Sequence, residues 1–186
     1  MRVIELKEII EAPACQVFDW FMNLDKNYID WHPSAHQYFR WLTEKPIGEG
    51  SLFEFSEEFD GHPHRMFMKI TAFKKNQKLS FASERIAVDS TFLPAWLIER
   101  AAAVFQVKIE MHRTFRSTSS DSTELSTRHI YGSQLPIFGR IIDWILDRFF
   151  ISDRSHLLHM KEESSNMIRE LEKAAGADIH RAQEAT

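Results

Sequence analysis

The sequence contains little of the chemistry that several classes of protein require. Cys15 is the only cysteine in 186 residues, which excludes an internal disulfide and the paired thiolates of structural zinc sites. No stretch reaches the roughly 18 consecutive apolar residues that span a bilayer, and residues 1–10 already carry charges. These absences predict a soluble protein of the cytoplasm, a reducing compartment, without stable insertion into a membrane.

Clustered positive charge is also missing. The net charge is -4, and the 23 basic residues are scattered among 27 acidic ones. Because phosphate backbones attract clusters of Lys and Arg, nucleic acid is excluded as a partner. What the chain does contain is 44% hydrophobic residues, with 15 Phe and 5 Trp, enough to bury a core and to line a cavity with rings. The length fits one domain, which we assign to residues 1–176, followed by a polar tail at 177–186.

The hydrophobic pattern changes its period along the chain. Pro13 suits the first turn of a helix, and the stretch 92–103 is too apolar for a solvent loop, so we expect it to lie over the sheet or its mouth. In chain order the pattern predicts a strand over 3–10, a helix over 14–24, a second helical piece within 28–42, strands over 51–59, 65–73 and 79–88 with a turn at 60–63, a short helix within 92–103, and strands over 105–111 and 124–131.

A long helical pattern closes the chain. It runs from Pro136 to about Ala175, and Gly176 is its expected end. Roughly forty helical residues would extend about 60 Å, which is long for a domain of this size. A break near Ser152 and Asp153, whose side chains can cap a new helix, would relieve this problem.

This order of elements indicates the α+β class. It also resembles the helix-grip fold, in which a curved antiparallel sheet wraps a long C-terminal helix and leaves a cavity between them. We therefore expect one helix-grip domain with an internal cavity.

Polar residues interrupt the apolar stripe of the terminal helix. The stripe begins at Ile137, Ile141, Ile145 and Phe149 and continues through Ser152, His156, His159, Glu163 and Met167. His159 and Glu163 lie four residues apart, so both side chains project from one side of the helix and can hold one metal ion. The alternative is an exposed hydrogen-bonded pair on a solvated helix face.

Three other segments offer ligands or catalytic groups. His32 and His36 lie in a turn with aromatic residues and a proline, which can present imidazole nitrogens inward or simply cap a helix. The acidic residues Glu54, Glu57 and Glu58 sit in a predicted hairpin, where carboxylates are usually solvated. The strand over 124–131 places His129 and Tyr131 on the side that bears Leu125, the expected inner side.

Three segments resemble the diacetylphloroglucinol hydrolase family of the helix-grip superfamily, which also includes START, Bet v 1-like and polyketide cyclase-like proteins. They are Tyr28 with Trp31-His32-Pro33 and His36, then Glu57-Glu58-Phe59-Asp60-Gly61, and finally His156-Leu157-Leu158-His159-Met160-Lys161-Glu162-Glu163. Members of the family bind zinc through two His and two Glu. They hydrolyse the carbon–carbon bond between an acyl group and an activated phenol ring.

The resemblance implies that zinc is bound by His36, a glutamate of the hairpin, His159 and Glu163, with His32 as an alternative to His36. It further implies that Tyr28 holds the substrate phenol. This match covers most of the chain in order, but its specific motifs are only the His-Pro turn and the terminal helix.

The hairpin ligand has two candidates. The family's Glu followed shortly by Gly before the turn favours Glu58, whereas strict alternation with Phe53 and Phe55 turns Glu57 inward. A bulge near the turn would reconcile the two patterns, and on that basis we assign Glu58.

The resemblance also predicts a function. It implies a zinc-dependent hydrolase in which Tyr28 holds the phenol. His129 and Tyr131, on the expected inner side of their strand, are further candidates to move its proton. The alternative is a metal-free carrier of a hydrophobic small molecule, and a third candidate is a metal-free cyclase or dehydratase that uses His and Tyr. Each one binds a hydrophobic or aromatic small molecule. The sequence does not fix the oligomeric state, although it allows a homodimer.

Overall fold

The computed structural model describes residues 1–59, 62–88, 94–136, 138–149 and 152–184. Its strands are β1 (Arg2–Ile10), β2 (His36–Trp41), β3 (Leu52–Phe59), β4 (His62–Lys74), β5 (Lys78–Val88), β6 (Val107–Ser117) and β7 (Thr123–Ser133). Within the described residues these seven strands form one curved antiparallel sheet, in the order β1-β7-β6-β5-β4-β3-β2. The first strand therefore pairs with the last one, and β2 forms the opposite edge.

Five helices are present among the described residues, and each of them contacts the sheet. They are α1 (Ala14–Met22), α2 (Leu24–Trp31), α3 (Ala95–Val104), α4 (Gly139–Phe149) and α5 (Asp153–Glu184). Helix α5 has 32 residues and contacts β1 and α2. The sheet curves around this helix, which confirms the predicted α+β helix-grip architecture.

Alternating side chains explain why the sheet has an inner and an outer face. Phe53 and Phe55 of β3 are buried, and the flanking Leu52 and Glu58 are exposed. The same period of two continues across β4 to β7, so that each strand contributes every second residue to the core. Aromatic rings of α1 pack on this inner face in edge-to-face pairs, as Phe18 does on Phe115 with ring centroids 5.3 Å apart.

A second helix is confirmed, but it covers only the first part of residues 28–42. Helix α2 begins earlier, at Leu24, and only Asn23 separates it from α1. The segment from His36 to Trp41 is strand β2, because its backbone pairs with β3. Sequence periodicity missed this strand because it has only six residues.

The predicted break in the terminal helix is confirmed. Helix α4 ends at Phe149, and α5 begins at Asp153 with Ser152 as its cap, since the Ser152 hydroxyl accepts a hydrogen bond from the Ser155 amide at 3.0 Å. Gly176 does not end the helix, because α5 continues to Glu184.

The predicted apolar stripe fails in α4. Ile141 is 57% exposed and Ile145 39% exposed, whereas Ile142 is buried. Because the chain breaks between α4 and α5, the two helices are not in one continuous helical register. Positions that share one face of α5 therefore do not predict the buried face of α4. Ile137 and the side chain of Phe149 lie outside the described residues.

The other predicted elements are confirmed with shifts at their ends, the largest being β6, which continues to Ser117. The short helix within 92–103 corresponds to α3, although Phe92 and Leu93 lie outside the described residues, as do Asp60 and Gly61 of the predicted hairpin turn. Across the described ranges, none of the helices has the length and apolarity to cross a membrane.

Candidate metal centre

Four side chains with metal-binding chemistry meet between the sheet and α5. His36, Glu57, His159 and Glu163 each offer one ligand atom, and these atoms all lie within 4.8 Å of one another. All four side chains are buried, with exposed fractions of 9% or less. Buried carboxylates and imidazoles at this spacing need a proton or a cation among them.

Two kinds of local regularity bring the four residues together. His36 and Glu57 are direct partners in the β2–β3 pairing, so their side chains lie on the same face of the sheet. A register irregularity follows His36, which places the bulge on β2 and leaves β3 regular. His159 and Glu163 are one helical turn apart on α5. The cluster is thus a cross-strand pair that faces a pair of residues on one helix.

Helix α2 fixes the distance between these two pairs. The Trp31 indole N–H donates to the carbonyl oxygen of Glu163 at 2.7 Å. In return, the Asn166 amide donates to the carbonyl oxygen of Trp31 at 3.0 Å. These reciprocal bonds tie the end of α2 to α5 beside the point where β2 begins, so the His36 ring is held against Glu163.

The separations between ligand atoms match those around a small divalent ion. His159 Nε2 lies 3.4 Å from Glu163 Oε1 and 3.7 Å from Glu57 Oε2, while His36 Nε2 lies 3.8 Å from the same Glu57 oxygen. The edge of a tetrahedron with bonds of 2.0–2.1 Å is about 3.3–3.4 Å long. Only the contact from His36 Nε2 to Glu163 Oε1 is shorter, at 2.8 Å. These four separations lie within about 0.5 Å of that edge length, and the other pairs of ligand atoms lie no more than 4.8 Å apart.

The orientation of the His36 ring adds independent support. Its Nδ1 lies 2.7 Å from the carbonyl oxygen of Tyr28, which can only accept, so Nδ1 carries the hydrogen. Its Nε2 then points at carboxylate oxygens, and lone pairs would face each other unless a proton or a cation lies between them. Metal-bound histidines characteristically donate their second ring N–H to a carbonyl or carboxylate in this way.

The electrostatics of the helix pair show how strongly the cluster attracts positive charge. Burial lowers the pKa of His159, but the charge of Glu163 and hydrogen bonds to Glu163 and Glu57 outweigh burial and raise it to about 10. Burial works to raise the pKa of Glu163, yet His159 and His36 hold it well below its usual range. The Glu163 carboxylate therefore offers negative charge to a proton or to a metal ion.

A cavity with apolar walls opens beside the cluster. Tyr28, His129 and the cluster residues Glu57, His159 and Glu163 line it together with rings and aliphatic side chains, which include Phe39, Phe53, Phe55, Met66, Phe81, Ile109 and Met111. Its free volume is about 50 Å³. Since a cavity of roughly 150 Å³ accommodates benzene, the walls must move apart before an aromatic ligand can enter. Met66 and Met111 are flexible side chains that can make such room.

Two of the predicted catalytic residues lie on this cavity. The Tyr28 hydroxyl lies 3.4 Å from Glu57 Oε2, and burial together with the charge of Glu57 raises the tyrosine pKa well above its ordinary value. Tyr28 is therefore a proton donor in hydrogen bonds and not a base. Its ring also stacks on His36 with centroids 3.9 Å apart, so it supports the histidine as well.

His129 forms a buried pair with His156. Its Nδ1 lies 3.0 Å from His156 Nε2, and burial, reinforced by His156 and Arg113, lowers the pKa of His129 well below its ordinary value. Burial likewise lowers the pKa of His156, to about 4. Both rings are neutral near pH 7, and His129 lines the cavity.

The structure does not bring three of the proposed residues into the cluster. Glu58 is exposed because β3 alternates without a bulge, so the assignment of Glu58 is corrected to Glu57. Tyr131 donates its hydroxyl hydrogen to Asp153, and it does not line the cavity beside His129. His32 contacts Glu162 at 3.0 Å instead of joining the four-residue cluster.

Glu54 is buried for a different reason. It lies on the outer face of β3, where Tyr38, Arg40 and Arg65 surround it. These three partners lower its pKa against the effect of burial. This carboxylate therefore stabilises the edge of the sheet and takes no part in the cavity.

Sequence reasoning missed Arg113, a buried residue on the cavity wall. It is 5% exposed, and its guanidinium lies over the rings of Phe21, Phe81 and Trp31 at 4.5, 5.5 and 5.9 Å from the ring centroids. Strand alternation could have identified this residue, because position 113 lies on the same face of β6 as Ile109 and Met111.

Comparison with known proteins identifies the fold. No protein-family model matches the chain, and no curated protein sequence matches it. Among solved structures, a norcoclaurine synthase point mutant from Thalictrum flavum is similar at a TM-score of 0.62 and 13% identity, covering 94% of this chain and 96% of that one.

Two further solved structures are similar over nearly the whole chain. A START superfamily protein from Mycobacterium smegmatis gives a TM-score of 0.60 at 13% identity, covering 92% of this chain and 98% of that one. The major latex-like protein 151 from Panax ginseng gives 0.60 at 11% identity, covering 91% and 96%. At these identities the similarity establishes the architecture alone. The chain therefore has a helix-grip fold, as these solved structures do.

Proposed function

We propose that this protein binds an aromatic small molecule in its cavity and that His36, Glu57, His159 and Glu163 bind a zinc ion at the cavity wall. The observation that carries the proposal is the convergence of these four ligand atoms within 4.8 Å of one another. Two neutral imidazoles and two carboxylates cancel the charge of a divalent zinc, and they constitute a donor set that zinc accepts.

We further propose that the reaction is hydrolysis of a carbon–carbon bond between an acyl group and an activated phenol ring. When bound, zinc would supply polarisation of an acyl carbonyl and an acidified water. The resemblance of the His-Pro turn and of the terminal His/Glu helix to the diacetylphloroglucinol hydrolase family suggests this substrate class.

The residues of the chain would divide the remaining work. Tyr28, which stays protonated, would donate a hydrogen bond to a ligand oxygen near Glu57. His129, neutral and paired to His156, would carry a proton to or from the phenol ring. The rings of Phe39, Phe53 and Phe81 would enclose the aromatic part and exclude water.

Metal analysis and an activity assay on the same preparation test both parts of the proposal. The protein is purified, incubated with zinc and freed of excess metal, and an acylated polyhydroxybenzene is supplied as substrate. We expect about one zinc per chain, release of the free acid, and loss of activity in a chelator that zinc reverses. A His159→Ala variant that keeps its full zinc content would contradict the metal site.

A metal-free carrier is the second candidate, and the comparisons favour it. The similar proteins share the fold at 11–13% identity, and a cavity with mostly apolar walls is sufficient to hold a hydrophobic ligand. A norcoclaurine synthase of this fold was solved in complex with dopamine and hydroxybenzaldehyde, which supports an aromatic occupant for the cavity under either candidate. Binding of an aromatic ligand at the same affinity with and without zinc, together with no hydrolysis, would identify the carrier.

A further inference from the structure

Arg113 is a buried positive charge that the proposed reaction leaves without a role. Its side chain comes from the inner face of β6 and reaches the cavity beside Glu163 and Glu57. Burial lowers the pKa of Arg113 to about 10 against the influence of these two carboxylates, so the guanidinium still carries its charge near pH 7.

The surroundings of Arg113 do not satisfy its hydrogen-bonding capacity. Three aromatic rings enclose the guanidinium, and aromatic faces attract its charge but accept no conventional hydrogen bond. Within the described ranges, no residue accepts a hydrogen bond from the Arg113 side chain, and no carboxylate lies within salt-bridge distance of it. A guanidinium carries five N–H donors in a planar fork, and Arg113 lines the cavity, so an acceptor oxygen on a bound ligand can bind these donors.

The charges of the site indicate what kind of acceptor fits. Zinc contributes two positive charges, Glu57 and Glu163 cancel them, and the imidazoles are neutral ligands. Arg113 then leaves one uncompensated positive charge in a buried cavity. A ligand with one negative charge brings the sum to zero, whereas a neutral ligand leaves the charge of Arg113 without a counter-ion.

We propose that Arg113 determines specificity by binding the ring oxygen of an aromatic ligand as an oxyanion, so that the cavity selects phenolates over neutral phenyl ethers. This inference rests on the proposed zinc centre, because zinc neutralises the two carboxylates that would otherwise compensate Arg113. The three rings hold the guanidinium in place, and the ligand oxygen completes its coordination. Arg113 would thus lower the proton affinity of the phenol on binding, which prepares the ring as a charged species.

The test uses a probe whose protonation state is visible. 4-Nitrophenol and its phenolate absorb at different wavelengths, and 4-nitroanisole is the matched ether that cannot ionise. The zinc content of each protein is measured first, and both probes are then titrated into the zinc-loaded wild type and into Arg113→Met, which keeps an unbranched apolar stem without the charge. Arg113→Gln serves as a second neutral variant, and Arg116→Met is the control because Arg116 is exposed on the same strand.

We expect the wild type and the Arg116 variant to bind the phenolate at least tenfold more tightly than the ether. At one pH unit below the pKa of the free probe, where about one-tenth of it is ionised, most of the bound probe should absorb as phenolate. Both Arg113 variants should keep their zinc and lose most of the tenfold preference and of the phenolate signal.

Different failures give different results. Full zinc content in all proteins with an unchanged phenolate signal in Arg113→Met or Arg113→Gln would overturn the role of Arg113 and leave the zinc centre standing. Absence of zinc from the wild type would overturn both the proposed function and this inference, because Arg113 would then be the counter-charge of Glu57 and Glu163.

Discussion

Neighbouring glutamates on β3 provide a sharp test of the proposed ligand set. Glu57 lies within 3.8 Å of both His36 and His159, whereas Glu58, one residue later, points to solvent. Glu57→Gln and Glu58→Gln remove the same charge from the same strand and change the side-chain volume equally. Any difference between them in zinc affinity therefore comes from their position.

The magnitude follows from the free energy of zinc binding. A site with four protein ligands binds zinc with about 10–16 kcal/mol near pH 7, so an equal share for one ligand is about 2.5–4 kcal/mol. Because each 1.4 kcal/mol is a factor of ten, Glu57→Gln should weaken zinc binding by roughly 10² to 10³. Glu58→Gln should change it by less than about twofold, since an exposed charge is screened by water.

Competition against a chromophoric chelator measures both affinities, and circular dichroism checks that both variants keep the fold. Equal weakening in the two variants would show that only the overall charge matters. A larger effect from Glu58→Gln would refute the geometry of β3, and with it the assignment of Glu57.

Three further predictions concern pH, backbone strain and the tyrosine of the cavity. The pKa of His156 is about 4 in the folded protein and 6.5 in a free histidine. As the pH falls from 6.5 to 4, the unfolded state therefore binds a proton at this residue that the folded state does not bind. The free energy of unfolding should drop by up to about 3 kcal/mol. Urea unfolding at pH 7 and at pH 4.5 should show a smaller loss of stability in His156→Gln than in the wild type. An equal loss in the two proteins would contradict the assignment. Gly132→Ala would place a methyl group 2.2 Å from Asp143 Oδ1, at a backbone φ of +126°. This substitution should destabilise the fold by about 2–4 kcal/mol and lower the melting temperature by roughly 5–15 °C. A decrease of less than about 2 °C would refute the predicted strain at this position. Tyr28→Phe should keep the zinc and lower kcat by roughly 10²-fold or more, and an unchanged kcat would remove Tyr28 from the proposed chemistry.

Local patterns predicted the parts of the fold that local rules govern. The pairing of His159 with Glu163 follows from helical spacing alone, and the inward position of Leu125 and His129 follows from the period of a strand. The break at Ser152 followed from the length of the helical pattern and from a residue that caps helices.

The parts that failed depend on long-range contacts. Segment 36–41 is a strand only because β3 pairs with it, and the meeting of His36 with Glu57 depends on that register. The family's spacing pointed to Glu58, whereas simple alternation along β3 gives Glu57, so the physical pattern was the better guide. Alternation along β6 predicted that its apolar residues face inward. The same alternation places Arg113 on the inner face, but a charged residue was not expected there.

The most direct test of the central claim is an anomalous diffraction experiment at the zinc absorption edge on crystals grown with zinc. We expect one strong peak between β2, β3 and α5, with bonds of about 2.0–2.2 Å to His36, Glu57, His159 and Glu163. No peak among these four residues, at a zinc concentration that saturates binding in solution, would contradict the metal centre.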